Sequence, residues 1–139
     1  DIMEQVKCPV AVFVNRGYRE GALVSFVLGG MIDIFLLSYI SIMLQNGHSV
    51  RLFLFDTDDE EFCRCMNDLQ ARYSGQITIV RFAGVEELVT REKDGLLVMS
   101  HLSYTKLSED ELVMRELSSL LVIRRNKNKG EKNERLEIG

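Results

Sequence analysis

Two short stretches of this sequence combine residue types that could bind a small ligand. Gly29 and Gly30 follow an apolar run, and the carboxylate of Asp33 comes shortly after them. Ser100 ends another apolar run, Leu96–Ser100. Free backbone N–H groups at the start of a helix favour an anion, and glycines let a ligand approach the backbone closely. Gly29, Gly30, Asp33 and Ser100 are therefore the residues of a candidate small-ligand crevice, and a tight turn that binds no ligand is the alternative.

Other titratable and metal-binding residue types have simpler interpretations. His101 could titrate beside the crevice, but a surface position without a special role also explains it. The acidic run at residues 56–61 lacks the alternating oxygen ligands and the glycine of a calcium loop, and negative side chains suit the first turn of a helix. Cys63 and Cys65 point to different sides of a predicted helix, so they do not share a metal. We predict no metal site and no bound cofactor.

No arrangement typical of an active site is present in the sequence. It contains no P-loop, no G-x-S-x-G elbow and no cysteine with a candidate histidine partner. Paired carboxylates such as Glu86–Glu87 are neighbours in sequence only, and helical faces explain them. We therefore predict that the protein is not an enzyme. The net charge of −4 also argues against nucleic-acid binding, which requires a basic surface.

The elements that must position the candidate crevice follow from the apolar pattern of residues 23–55. An apolar run, Leu23–Leu28, ends at the paired glycines, and a longer apolar segment, Met31–Gln45, stops at the next glycine. A third apolar run, Val50–Phe55, follows. Strand, helix and strand in this order form a βαβ unit of a parallel sheet. The carboxyl ends of such strands are where ligands bind.

The same apolar segment is not expected to cross a membrane. Paired glycines interrupt it, Asp33 lies within it, and its continuous part is shorter than the roughly 20 residues that a spanning helix needs. We expect Asp33 to lie at the carboxyl edge of the sheet and to contribute little to folding. On that basis Asp33→Ala should change the melting temperature by only a few degrees.

The rest of the chain continues the alternation of strands and helices. We predict further elements at Asp58–Tyr73 (helix), Ile77–Phe82 (strand), Val85–Thr90 (short helix), Leu96–Ser100 (strand), Ser108–Glu116 (helix with Ser108 as its N-cap) and Leu120–Ile123 (strand). Right-handed crossovers arrange the five strands from Leu23 onward as a doubly wound parallel sheet with helices on both faces. An extra strand, Val10–Val14, precedes them. The α/β domain covers residues 7–125, and the polar tail at 126–139 is expected to be disordered.

Three stretches of the sequence resemble parts of one protein family. Residues 7–17, KCPVAVFVNRG, are similar to a segment in the cytoplasmic tails of monovalent cation/proton antiporters, including the plant cation/H+ exchangers. Those tails carry a cysteine, a valine-rich strand and then Asp-Arg-Gly, and Asn15 stands here in place of that Asp. Residues 26–33, FVLGGMID, and residues 95–125 are similar to later parts of the same tails.

The resemblance implies both a fold and a function. The fold is that of universal stress proteins, which is adenine nucleotide alpha hydrolase-like, appended to a membrane transporter. The function is that of a regulatory domain on the cytoplasmic face of the inner or plasma membrane, acting by domain association or by sensing a small ligand. Because the chain begins at Asp1 rather than Met, we expect it to be a fragment of such a transporter.

A free-standing universal-stress-type nucleotide-binding protein is the alternative. Nucleotide-binding members of that fold hold ATP with an Asp after the first strand and a glycine-rich loop after the fourth. Here Asp33 lies further beyond its strand than that Asp does. Residues 100–106 contain no glycine, so the backbone cannot approach a triphosphate closely. We therefore expect no ATP binding.

The predicted helix Met31–Gln45 implies a partner. It is apolar nearly all round, whereas a helix that packs on one face of a sheet needs only one apolar stripe. Its outer face must therefore be covered by a second copy of the chain or by the membrane domain of the parent transporter. We predict a homodimer through or near residues 31–45. Some of the following are expected to face outward: Ile34, Phe35, Leu37, Ile40, Ser41 and Leu44.

Overall fold

A single six-stranded sheet organises the computed structural model, which describes residues 10–55, 58–89 and 95–124. Its strands are β1 (Val10–Val14), β2 (Val24–Leu28), β3 (Val50–Phe55), β4 (Ile77–Phe82), β5 (Leu96–Ser100) and β6 (Ser119–Arg124). Their order across the sheet is β1-β6-β5-β2-β3-β4. Strands β2 to β6 are parallel, and β1 pairs antiparallel with β6. The predicted α/β class, the mostly parallel sheet and the extra first strand are confirmed.

The chain changes direction across the sheet between β2 and β5. From β2 it steps outward to β3 and β4, and from β5 it steps the opposite way to β6. The carboxyl ends of β2 and β5, which are neighbours in the sheet, therefore lie at a topological switch point. Loops leave in opposite directions at such a point and open a crevice.

Short helices pack on both faces of the sheet. They are a first 3-10 helix (Met31–Leu36), α1 (Leu37–Gln45), α2 (Glu60–Arg72), a second 3-10 helix (Val85–Leu88), α3 (His101–Leu107) and α4 (Glu111–Glu116). Helices α1 and α2 share one apolar core with alternate strand residues such as Phe26. Helices α3 and α4 share a second core, which contains Val27. Successive strand residues point to opposite faces, which explains why β2 is buried along its whole length.

The helix predicted at Met31–Gln45 is divided into two parts. Its first six residues form the 3-10 helix, and α1 continues from Leu37. Of the six residues among which some were expected to face outward, Ile40 and Leu44 are buried against the sheet. Ser38 and Gln45 face the solvent instead. Ile40 and Leu44 are therefore not among the outward-facing residues, whereas the other four residues of that set are half-buried and Ile42 is exposed.

The prediction for the segment after β5 is wrong. Residues 101–107 form helix α3, although no element was predicted there. The hydroxyl of Ser100 caps the start of this helix by accepting a hydrogen bond from the Ser103 N–H. Ser108 is not an N-cap: its hydroxyl donates to the Thr105 carbonyl at the end of α3. Asp110 caps α4 instead, by accepting from the Val113 N–H.

The remaining boundaries differ by a few residues. Helix α2 begins at Glu60, because Asp59 is its N-cap and accepts from the N–H groups of the next two residues. The second 3-10 helix ends at Leu88, and Thr90 lies outside the described residues. Asp56 and the tail at 126–139 also lie outside them. Within the described ranges, no helix combines the length and apolar character that a membrane span requires.

The first loop fastens β1 to the rest of the sheet. The side chain of Asn15 accepts hydrogen bonds from the N–H groups of Gly17 and Tyr18, which is a turn that Asp or Asn can both make. The buried hydroxyl of Ser119 accepts from the N–H groups of Arg16 and Tyr18 at 2.7 and 3.1 Å. The Arg16 guanidinium donates to the carbonyls of Met114 and Leu117, where α4 ends.

We expect Arg16→Ala to loosen β1. The substitution removes charge-assisted hydrogen bonds to the end of α4, and because Arg16 is largely exposed the loss should be about 1–2 kcal/mol in the free energy of unfolding. Urea denaturation measures that loss, and hydrogen exchange of the β1 amides localises it. Arg19→Ala, an exposed arginine in the same loop, is the matched control and should change stability by less than about 0.5 kcal/mol. Equal effects of both substitutions would contradict the role of Arg16.

Candidate functional site

Asp33 lies at the switch point and joins the ends of β2 and β5. Its carboxylate oxygen Oδ2 accepts a hydrogen bond from the Gly29 N–H at 2.7 Å. The same oxygen accepts a bond from the Ser103 hydroxyl at 3.1 Å. Gly29 follows β2 directly, and Ser103 lies in α3, which follows β5. The carboxyl edge of the sheet was predicted as the place of Asp33, and the structure confirms it.

The burial of Asp33 changes what is expected of it. Only 1% of the residue is exposed, and its second oxygen, Oδ1, has no hydrogen-bond partner among the described residues. Most buried side-chain polar atoms have at least one hydrogen-bond partner, so the position of Oδ1 is unusual. A buried side chain that connects two strand ends also contributes to folding. The expectation that Asp33→Ala would leave the melting temperature nearly unchanged is therefore replaced.

The two glycines are present at the crevice but not as an open anion site. The Gly29 N–H already donates to the carboxylate of Asp33, so that carboxylate occupies the position that a bound anion would take. Gly30 has φ of 145°, a backbone conformation that favours glycine, and it turns the chain from β2 into the first 3-10 helix. This geometry argues against phosphate binding at Gly29 and Gly30.

Ser100 has a structural task at the same crevice. It ends β5 and is buried, and its hydroxyl caps α3 through the Ser103 N–H at 3.1 Å. Ser100 therefore positions Ser103, which in turn contacts Asp33. The structure brings together all four residues predicted for the crevice at the ends of the same two strands. Whether they bind a ligand stays a prediction.

A cleft of about 150 Å³ opens at the carboxyl ends of β2, β3, β4 and β5. Its wall is apolar except where Ser103 and Lys106 of α3 reach it. The full lining is Val27, Gly29, Phe55, Phe82, Ala83, Val85, Leu88, Met99, Ser103, Lys106 and Leu107. Gly29 and Ser103, which line the cleft, both donate hydrogen bonds to the Asp33 carboxylate, which does not itself line it. We call this the carboxyl-end cleft.

Sequence reasoning missed the polar residues of this cleft. No helix or strand was predicted for Ser103 and Lys106, whereas α3 places them three residues apart on one helical face. The sequence does carry one signal for this helix, because serine is a preferred N-cap residue and Ser100 ends an apolar strand. Phe55 and Phe82 end neighbouring parallel strands, so their meeting could also have been anticipated.

Glu87 holds one wall of the carboxyl-end cleft in place. Its carboxylate accepts hydrogen bonds from the N–H groups of Ala83 and Gly84, both at 3.0 Å. These bonds favour the ionised form, so the N–H groups of Gly84 and Ala83 lower the pKa of Glu87 from its usual value. Ala83 lines the cleft. The turn after β4 is thereby fixed by a side chain that does not itself line the cleft.

The other chemically interesting side chains lie away from the crevice or at the surface. His101 and His48 are exposed. Cys63 and Cys65 are half-buried on α2, and neither forms a disulfide. The acidic residues at positions 58–61 begin α2, where Asp59 acts as its cap. This placement agrees with the interpretation of the acidic run as a helix start.

We predict that the protein does not bind ATP with useful affinity. The Asp33 carboxylate occupies the Gly29 N–H, and α3 replaces the glycine-rich loop that would surround a triphosphate. Calorimetry with ATP and Mg²⁺ should therefore detect no binding with a dissociation constant below about 100 μM, which is roughly −5.5 kcal/mol. A micromolar dissociation constant would overturn this prediction.

Comparison with known proteins identified no relative of this chain. No protein-family model matches the chain, and neither a curated protein nor a solved structure is significantly similar to it.

Proposed function

We propose that this chain is the cytoplasmic regulatory domain of a monovalent cation/proton antiporter, with a universal-stress-like version of the α/β fold. It is non-enzymatic in this proposal, and it acts on the transporter through domain association or a small ligand. The strand order supports the fold proposal, because the five parallel strands follow the order 3-2-1-4-5 when β2 is counted first, as in doubly wound nucleotide-binding sheets.

One observation carries the functional proposal: the three stretches that resemble antiporter tails are joined to one another. Arg16, in the first stretch, donates to carbonyls of Met114 and Leu117 in the third. Asp33, in the second stretch, accepts from Ser103 in the third. Residues that are similar to separate parts of one family thus form a single set of contacts. This agrees with inheritance of the three stretches as a unit.

The proposed regulation uses two surfaces on opposite faces of the sheet. The carboxyl-end cleft lies among residues of the core shared by α3 and α4. An apolar groove of about 340 Å³ lies on the other face, beside α1. Occupation of either surface biases a transporter only if its affinity differs between two states of the transporter. Domain association through the groove is the step that would reach the membrane part.

The test begins with the open reading frame that encodes this chain. About a dozen upstream membrane spans would support the proposal, and deletion of residues 7–125 from that protein should then change cation/proton exchange in membrane vesicles. An unchanged exchange rate over the range of pH and cation concentration would overturn it. A free-standing chain that binds ATP would favour the alternative, a universal-stress-type nucleotide-binding protein.

A further inference from the structure

We propose that the carboxyl-end cleft binds a compact carboxylic acid that has an apolar body and a hydroxyl or ammonium group beside the acid. This inference rests on the proposed function, because it names the class of small ligand that the regulatory domain senses. It follows from the size of the cleft, from the cation at Lys106 and from the direction of the Ser103 hydrogen bond.

The size and lining of the cleft fit a small apolar body. Its volume of about 150 Å³ is below the roughly 300–1,000 Å³ that is common for sites of drug-sized ligands. Phe55 and Phe82 meet edge to face with their ring centroids 5.7 Å apart, and together with Met99 and Leu88 they make most of the wall apolar. A single aromatic ring or a branched alkyl group fits such a wall, and a nucleoside triphosphate does not.

Lys106 gives the cleft one positive charge. It lies in the last turn of α3 and lines the cleft, and no residue in the described part of the chain forms an ion pair or side-chain hydrogen bond with it. Ammonium groups donate hydrogen bonds and accept none. A ligand group next to Lys106 must therefore accept, and a carboxylate is the acceptor that gains most from the charge.

Ser103 gives the cleft a hydrogen-bond acceptor. An ionised carboxylate can only accept, so the 3.1 Å bond between Ser103 and Asp33 Oδ2 uses the proton of the Ser103 hydroxyl. The lone pairs of that hydroxyl remain available to accept a hydrogen bond, and Ser103 lines the cleft. Because an Asp33 carboxylate oxygen lies 3.1 Å from the Ser103 hydroxyl, a ligand donor is favoured at this position and an anion is disfavoured.

The spacing of the two residues sets the arrangement of the ligand groups. Ser103 and Lys106 are three residues apart on α3, so their side chains leave one face of the helix with Cβ atoms about 5–6 Å apart. A carboxylate at Lys106 and a donor at Ser103 are therefore neighbours on the ligand. A 2-hydroxy acid or a 2-amino acid with an apolar side chain has this arrangement.

The experiment compares three probes that differ by single groups. 3-Phenyllactate carries the acid and the hydroxyl, 3-phenylpropionate lacks the hydroxyl, and 2-phenylethanol lacks the acid. We expect NMR titrations of the whole chain, read at the methyl group of Met99 in the cleft, to show 3-phenyllactate binding tightest. Its affinity should exceed that of 3-phenylpropionate by about tenfold, and 2-phenylethanol should bind weakest.

Variants assign the effects to the two side chains. Lys106→Met should weaken both acids by at least about tenfold and leave 2-phenylethanol unaffected, because it removes the charge and keeps the length of the side chain. Arg64→Met on α2, an exposed cation on the other face of the sheet, is the control and should change none of the affinities. Ser103→Ala should remove the preference for the hydroxy acid.

Each result of these experiments supports or overturns a stated part of the ligand proposal. Equal affinities for 3-phenyllactate and 3-phenylpropionate in the wild type would overturn the role of Ser103 even if Ser103→Ala proves unstable. Unchanged binding of the acids to Lys106→Met, or no shift at Met99 with any probe, would overturn the ligand class. These results are independent of the deletion experiment on the transporter. Failure of the ligand proposal would therefore leave regulation by domain association standing, and an unchanged transporter would leave ligand binding measurable.

Discussion

Asp33→Ala is expected to lower the free energy of unfolding by about 2–4 kcal/mol. The substitution leaves the Gly29 N–H without its acceptor and the Ser103 hydroxyl without the group that orients it. Hydrogen bonds to a charged group are the stronger kind, at about 1.5–3 kcal/mol each, and water replaces part of them here because Gly29 is exposed and Ser103 is half-buried. At about 2–4 °C per kcal/mol for a chain of this size, the melting temperature should fall by roughly 5–15 °C.

An opposing term limits the loss. The buried Asp33 carboxylate has one oxygen, Oδ1, without a partner in the described part of the chain, so the folded state already bears part of the penalty for desolvating a charge. Asp33→Asn separates the two effects. The amide oxygen can still accept from Gly29 and Ser103, while the charge is gone, so we expect a change within about 1 kcal/mol.

Thermal and urea unfolding of the two variants measure this difference. The matched control is Asp68→Ala, an exposed aspartate on α2, which should change stability by less than about 0.5 kcal/mol. If Asp33→Ala were as stable as the wild type, the bridge between β2 and β5 would contribute nothing to folding. If Asp33→Asn were as damaging as the alanine variant, loss of the charge or burial of the amide NH2 group without an acceptor would outweigh the retained hydrogen bonds.

The sheet could be predicted from the sequence because its signals are local. Each central strand is a short run of apolar residues bounded by glycine or acidic residues, and the βαβ unit fixes which strands are parallel. Strands β3 and β4 were placed with their observed ends. The strand that pairs with β1 could not be predicted from local signals. The pairing of β1 with β6 depends on contacts such as that of Arg16 with Leu117, which lie about a hundred residues apart in sequence.

The location of the candidate crevice could be predicted from the sequence, but its side-chain contacts could not. Gly29, Gly30, Asp33 and Ser100 follow the ends of β2 and β5, and ends of parallel strands meet at one edge. The direction of the Asp33 side chain was out of reach, since it depends on whether the helix begins as 3-10 or α and on where α3 starts. For the same reason an anion site was expected at the glycines, where the protein's own carboxylate lies.

The surface beside α1 is the candidate interface of the predicted homodimer. The α1 side of the sheet carries the apolar groove, whose lining includes Tyr18, Tyr39, Ile42, Met43, Leu96 and Leu121. Ile42, 57% exposed, forms part of its rim, and Phe13, 49% exposed, packs edge to face on Tyr18 nearby. An apolar groove bordered by exposed apolar side chains is typical of an association surface.

We predict that two copies associate through this groove and α1 with two-fold symmetry. In a symmetric dimer each copy supplies the same surface, so one substitution acts twice. Burying a side chain of the size of isoleucine is worth about 1.5–3 kcal/mol. Ile42→Glu should therefore weaken the dimer by about 3–6 kcal/mol, a change of at least roughly a hundredfold in the dissociation constant. Sedimentation velocity over a range of concentrations measures this constant directly.

Leu112→Glu is the matched control for that prediction. Leu112 is 73% exposed on α4, whose buried residue Val113 belongs to the core on the other face of the sheet, so the same change of charge occurs away from the groove. We expect the Leu112 variant to dimerise like the wild type. A monomeric wild type at about 100 μM would mean that the groove does not join two copies, because a dimer with a dissociation constant well below that value would be fully formed. Equal weakening by both variants would show instead that added negative charge, and not the groove, controls association.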